Sequence, residues 1–420
     1  MNEENDLFMK IALFTETYIP SINGVVTHVK ALKSGLEKLG HDVLIVCASP
    51  GAKHHHVENG VLYCPGVNFK KLYNYGVAAP KSHVRYKYIK KFDPDIIHIH
   101  TEFGVGYSGT IAAKLLNIPL IYTMHTMYDD YLYYVAPKKF IKIAKKTSHA
   151  YAKILAEKAT CLTGPSKKVE EFFKSCGVQK PVYVVPNPVE IDKFKPHCIS
   201  EEKRAMIRKK LGILADELAV CFCGRLGREK NIDTLLKYWS EVVEGDRKCK
   251  LLVFGDGPSR KELEKYSDRL KINDTVNFLG KISHDNLPPY YASCDLYITA
   301  SLSDTNSISM LEAMATGLPV VHIYDELNKG QVIDGYNGFI YKNSAQMKKI
   351  IYNYKKISND EKNEISKNSR RSVLKYGDIT LAKNLLNIYK QAREIYSEPD
   401  SVKRKLQLNY QKIKNKIKKQ

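Results

Sequence analysis

Two carboxylates, Asp304 and Glu312, stand eight residues apart in the stretch Ser301–Val321. Between them, Ser307 or Ser309 is suited to cap a helix that closes at Gly317, ahead of a strand over Leu318–Ile323. The backbone N–H groups of residues 308–310 would then face a ligand, and a helix start suits a diphosphate. Asp304 and Glu312 can accept hydrogen bonds from sugar hydroxyls. Anion donors beside hydroxyl acceptors are what a nucleotide-sugar requires, so Asp304, Ser307, Ile308 and Glu312 are candidate donor-binding residues. The same residues also fit an ordinary capped helix carrying an exposed carboxylate.

Three more loops carry chemistry. In Thr17–Gly24, Pro20 stiffens the chain and Gly24 lets backbone approach a phosphate, although any strand-to-helix turn favours glycine. In Cys223–Asn231, Arg225 and Lys230 offer a planar fork and a point charge five residues apart, which suits neutralisation of a leaving diphosphate. The plain alternative is a basic surface loop. Gly255–Pro258 reads as a tight turn beside it. In Met124–Tyr131, His125 can donate to a sugar hydroxyl or assist a developing charge, or it can be structural. Asp129 and Asp130 can orient an acceptor hydroxyl or act as a base. With Tyr18 and Tyr131 they form the candidate acceptor set. His98, His100, Thr101 and Glu102 are further candidates on the same rim.

The elements that must position these loops alternate between strand and helix. Met9–Thr15, Asp42–Ala48, Ile96–His100, Pro119–His125, Thr160–Thr163 and Val182–Pro186 read as strands separated by helices. A linker follows over 187–200, and the pattern restarts with Leu218–Cys223, Lys250–Gly255, Thr275–Leu279, Asp295–Ala300 and Leu318–Ile323. Alternation at this spacing predicts two α/β domains with doubly wound parallel sheets, binding ligands at the carboxyl ends of their strands. The expected division is residues 1–190, residues 191–390, and a crossing helix with a basic amphipathic tail over 391–420.

Composition narrows the partners. The chain has 420 residues, too many for one ordinary core, and no apolar run reaches the ~20 residues of a membrane span. Its acidic first residues lead straight into a strand, which argues against a signal peptide. Nine scattered cysteines without a Cys-x-x-Cys pair suggest buried free thiols in a reducing cytoplasm. The run His54-His55-His56 lacks companion ligands and reads as a solvated loop, so no metal is expected. The net charge is +21, which predicts an anionic partner surface. Lys138, Lys139, Lys142, Lys145, Lys146 and Lys153 lie along one predicted helix with Phe140, Ile141, Ile143, Ile154 and Leu155. The tail beyond Ser401 repeats the pattern. Basic residues flanking an apolar stripe describe a helix lying on anionic lipid, and a solvated helix is the alternative for either segment alone. No RNA-binding signature occurs, so no nucleic-acid partner is expected.

Taken in order, these loops resemble the retaining glycosyltransferases of family 4. The likeness rests on Pro20 to Gly24, Asp95-Ile-Ile-His98, His125-Thr126, Val185-Pro-Asn187, Gly224-Arg225 to Lys230-Asn231, Phe254 to Pro258, Glu312 to Pro319 and Asp334 to Gly338. It implies the GT-B architecture, two facing Rossmann-like domains with a deep cleft between them. By the same likeness Gly24, Arg225 and Lys230 would hold the donor diphosphate, Glu312 the ribose and His125 the transferred sugar. His125, Arg225, Lys230 and Asp304 would form the catalytic set. Where the family has a first glutamate this chain has Asp304, and the usual glycine-containing pair reads Asn306-Ser307. That departure bears on the donor sugar more than on the reaction. His100 to Gly104 and His125 to Tyr131 look like the diacylglycerol glucosyltransferases of bacterial membranes. This narrower likeness implies a UDP-sugar substrate with no further cofactor, a lipid acceptor, and peripheral binding to the inner face of the cell membrane. Glycosyl-diacylglycerol, a surface polysaccharide or a teichoic-type polymer are alternative acceptors, and a non-catalytic nucleotide-sugar-binding protein is the alternative to an enzyme.

Overall fold

The computed structural model describes residues 8–21, 23–69, 75–196 and 198–397. The basic tail beyond Ser401 lies outside the described residues. The chain forms two units, the first running to Pro188 and regaining the helix Asp378–Ser397, the second spanning Val189–Gly377.

In the first unit the strands are β1 (Lys10–Thr15), β2 (Asp42–Pro50), β3 (His56–Glu58), β4 (Val61–Phe69), β5 (Tyr75–Ala78), β6 (Ile96–Ile99), β7 (Leu120–Thr123), β8 (Cys161–Gly164) and β9 (Val182–Val184). Their order is β3-β4-β2-β1-β6-β7-β8-β9, parallel except where β3 and β5 pair antiparallel with β4. Along β1, Ile11 and Leu13 join the core on one face, while Ala12 and Phe14 join that on the other. An unbroken apolar run is what a strand covered on both faces requires. The chain winds outward from β1 to β2 and β4, then reverses through β6, so the switch point lies between β1 and β6.

The second unit has β10 (Leu218–Cys223), β11 (Cys249–Phe254), β12 (Val276–Gly280), β13 (Leu296–Thr299), β14 (Val320–Ile323) and β15 (Gly338–Tyr341), ordered β12-β11-β10-β13-β14-β15 and all parallel. Its switch point lies between β10 and β13. The loops after these two strands hold Arg225, Lys230 and Asp304, the place where open α/β sheets bind ligands.

Three expectations are corrected. The second domain ends at Gly377, not 390, because the helix Asp378–Ser397 packs on Gly24–Lys38 in the first unit. Leu381, Leu385, Leu386 and Ile388 share a core with Val29, Leu32 and Leu36, and Tyr389 OH lies 2.7 Å from His98 Nδ1. The two helices touch closely enough that a Cβ on Gly35 would collide with the Asp378 carbonyl and Ala382. Second, residues 49–95 hold three strands before the helix His83–Phe92, rather than helix alone. Pro65 and Gly66 interrupt the apolar pattern of β4, yet a Cβ on Gly66 would strike the Val77 carbonyl of β5, so close strand approach requires the glycine. Third, β15 closes the second sheet, beginning at a Gly338 whose Cβ would meet the Val320 carbonyl.

Candidate functional site

In the second unit the loop after β10 is held in place by its neighbour. Gly224 N–H donates to Phe254 O (3.0 Å), Leu226 N–H to Asp256 O (3.0 Å) and Ser259 N–H to Leu226 O (2.9 Å). Gly255 adopts φ +140°, and a Cβ there would overlap the Gly224 carbonyl, so the turn after β11 must be glycine for the two loops to meet. Arg225 is then clamped by Glu229, with Nε at 3.1 Å and Nη2 at 2.5 Å from Oε1. Glu229 is buried, so a planar charged group is fixed in direction before any ligand arrives.

Lys230 pairs with Asp304 across the switch point, which brings two residues expected at the site into direct contact. Burial raises the Asp304 carboxyl, but the Lys230 ammonium and hydrogen bonds from Lys230 and Ser301 outweigh it and hold the group below its ordinary value. Further bonds tie the loops together: Ser303 Oγ to Glu229 O at 2.9 Å and Asn231 Nδ2 to Ala300 O at 3.3 Å. Asn328 Nδ2 donates to Asp304 O at 2.7 Å, and Asn306 Nδ2 to Gln331 Oε1 at 3.1 Å.

Of the two serines, Ser307 is the cap. Its Oγ accepts from Met310 N–H at 3.4 Å and opens the helix Ile308–Ala315. The cap thus takes one of the three N–H groups expected to face a ligand. Tyr297 and Tyr291, both buried, support this helix start through Ser309, at 3.1 Å to Oγ and 3.2 Å to the carbonyl. Glu312 points inward at 4 % exposure and accepts from His284 Nε2 at 2.7 Å, while His284 Nδ1 accepts from Lys193 Nζ at 2.8 Å. Burial pushes the Glu312 carboxyl up, and the bond from His284 opposes it only in part.

In the first unit Gly24 is the exposed first residue of its helix, whose Asn23 cap accepts from Val26 N–H at 3.0 Å. Tyr18, expected at the acceptor, is 8 % exposed and packs into the core, where burial pushes its hydroxyl up to about 12. Asp129 sits in the turn Tyr128–Tyr131 beside Asp130 and Tyr131, all half-buried. Its carboxylate is bound by His149 Nε2 (3.0 Å) and Lys145 Nζ (2.9 Å), which anchors the turn to the helix Ile141–Lys158.

His125 is half-buried and joins a histidine cluster, its Nε2 3.1 Å from His100 Nδ1. His98 is held between Tyr389 and Thr123, whose Oγ1 lies 2.6 Å from His98 Nε2. Burial lowers all of these imidazoles well below their ordinary value, so they are neutral at physiological pH. Beside them Glu102 accepts from Tyr122 OH at 2.9 Å and from Tyr128 OH, and burial raises it to about 7.

The basic segment divides. Lys138–Phe140 is a 3₁₀ turn and Ile141–Lys158 a helix. Leu155, expected on the outer stripe, is fully buried, because it faces the core with Ala152 and Ala156. Phe140, Ile143 and Ile154 stay exposed at 47 %, 64 % and 48 %.

The residues that sequence reading passed over are positioning ones. Glu229 adjoins Lys230 and could have been read as the partner of Arg225 at helical spacing. His28, four residues after Gly24, carried a weaker signal. His284 and Lys193 lie in segments without any motif.

Switch-point loops with two anchored cations and a capped helix start make an α/β site suited to an anionic ligand. Sequence profiles agree: Glycosyltransferase Family 4 matches residues 22–193 and glycosyl transferases group 1 matches residues 203–390. The alpha-monoglucosyldiacylglycerol synthase of Acholeplasma laidlawii is 30 % identical over 391 residues, covering 91 % of this chain and 96 % of that protein. The protein of the same name from Streptococcus pneumoniae is 33 % identical over 313 residues, 74 % and 70 % of the two chains. Among solved structures, Anabaena HepE in complex with UDP-glucose superposes with a TM-score of 0.71 at 20 % identity, covering 91 % of this chain and all of that one. The chain belongs to the GT-B glycosyltransferases of family 4.

Proposed function

We propose that the protein transfers glucose from UDP-glucose to the free hydroxyl of 1,2-diacylglycerol, with retention at the anomeric carbon. The observation that carries this reading is the 30 % identity to an alpha-monoglucosyldiacylglycerol synthase over nearly the full length of both chains. The geometry supports it. Arg225 and Lys230, each set by a carboxylate, meet the diphosphate as charge accumulates on the departing UDP, together with backbone N–H groups of Ile308 and Ser309. Asp304 keeps Lys230 in place and takes a sugar hydroxyl on its second oxygen. Glu312, one oxygen engaged by His284, takes the ribose with the other. His125, neutral and partly open, contacts the transferred sugar, and the turn of Asp129, Asp130 and Tyr131 borders the acceptor. The two cations do the work of a metal ion, so turnover requires none.

The acceptor is apolar and membrane-bound, and the exposed Phe140, Ile143 and Ile154 among Lys138, Lys139, Lys142 and Lys146 form the face that reaches it, at the cytoplasmic side of the cell membrane. Among the described residues no helix is long and apolar enough to cross a membrane. UDP release from UDP-glucose should rise severalfold when diacylglycerol is added to phosphatidylglycerol vesicles. Release that ignores diacylglycerol but responds to a soluble polysaccharide would replace this acceptor assignment.

A further inference from the structure

Beneath His125 the first unit holds a feature that sugar transfer does not use. His28, from the first helix, and His100, from the end of β6, are each only 1 % exposed. One ring nitrogen from each of His28, His100 and His125 lies within 4.8 Å of the others. The closest two, His100 Nδ1 and His125 Nε2, are 3.1 Å apart, near the edge of about 3.3 Å in a tetrahedron built on metal–nitrogen bonds of ~2.0–2.1 Å. His28 Nε2 is buried and has no hydrogen-bond partner among the described residues. Leaving such a nitrogen bare costs free energy, which a ligand would recover.

The tautomers suit ligation. Asn187 Oδ1 lies 3.1 Å from His28 Nδ1 and accepts its proton, so the lone pair of His28 sits on Nε2. This is the outer support that metal-bound imidazoles usually have. His98 completes the packing but has both nitrogens engaged, by Tyr389 and Thr123, and is no ligand.

We propose that His28, His100 and His125 form a site for one borderline divalent transition ion, of which zinc is the type. Three neutral imidazoles with no carboxylate exclude magnesium and calcium, which demand oxygen ligands. The open fourth position falls to water or an anion. Because the ion takes the lone pair of His125, its binding inhibits the transferase. That consequence rests on the proposed role of His125 in contacting sugar, whereas ion binding does not.

The test is cobalt titration of the full-length, tag-free protein, read by visible absorption. One equivalent of Co²⁺ should bind with the intense bands of a four-coordinate nitrogen site, zinc should displace it, and His28→Gln and His100→Gln should abolish it. The competing source is the run His54–His56, in which His54 and His56 are exposed, so His54→Asn/His56→Asn must leave the spectrum unchanged. Should either buried variant fail to fold, this surface variant decides alone: retention of the bands supports the buried trio and their loss overturns it. Absence of any stoichiometric band in the wild type overturns the proposal equally. Zinc that binds without slowing UDP release would leave the site standing and remove His125 from sugar contact.

Discussion

Buried ionisable groups in the first unit set its response to pH. Glu16 follows β1 and accepts from the N–H groups of Val105 (2.5 Å) and Gly106 (3.3 Å), at the start of the helix Gly104–Leu116. Desolvation outweighs these bonds and raises its carboxyl from 4.5 to about 7. The folded state therefore holds a proton that the unfolded state releases, and this stabilisation, complete below pH 4.5, is lost as pH rises to 7. The histidine cluster acts in the opposite sense, because His28 titrates at about 4 when folded and at 6.5 when unfolded, so stability falls as pH drops through that window. Glu16→Gln isolates the first effect, since glutamine mimics the protonated acid. We expect it to raise stability by about 2–3 kcal/mol at about pH 8 and to change it little at pH 4.5, measured by urea unfolding. Equal stability of variant and wild type at both pH values would show that Glu16 is not desolvated as described.

At the scale of elements, the helix Ile141–Lys158 has two jobs on two faces. Ala152, Leu155 and Ala156 seal the core, while Ile143 and Ile154, eleven residues and about three turns apart, share the outer face. Lys145 is set apart from its neighbours because it ties down Asp129. Replacing Lys138, Lys139, Lys142 and Lys146 by glutamine should weaken sedimentation with phosphatidylglycerol vesicles at low salt about tenfold or more, leaving weak binding to neutral vesicles unaffected. Undiminished binding to anionic vesicles would remove this helix from the membrane contact. The segment also shows what could be read in advance. Its charge pattern was legible, but Leu155 is a neighbour of Ile154 in sequence, about 100° further round the helix, and only the packing reveals which of the two faces the core. Strands buried on both faces, such as β1 and β10, announced themselves as continuous apolar runs. β4 and β15 did not, because their glycines answer to backbones that approach from other parts of the chain.

For the whole molecule, two sheets with switch points at β1/β6 and β10/β13 explain why the candidate residues cluster where they do. The pairing of Lys230 with Asp304 joins loops 74 residues apart, and each loop was identifiable from its local motif. The partners of Glu312 and His28 were not, since His284 and Asn187 reach them only through the winding of the chain. The return of a helix to the first unit was expected, but its start at Asp378 rather than 391 was hidden, because nothing in its apolar pattern marks where the chain leaves the second unit.

The chemical identity of the product decides whether this chain glucosylates diacylglycerol. Purified protein should be incubated with UDP-glucose and vesicles of diacylglycerol and phosphatidylglycerol, and the lipid extract analysed by mass spectrometry and proton NMR. The prediction is a monoglucosyl-diacylglycerol whose anomeric proton shows the small coupling of an α-linkage. A β-linked product would contradict retention, and UDP release without any glycolipid would contradict the lipid acceptor.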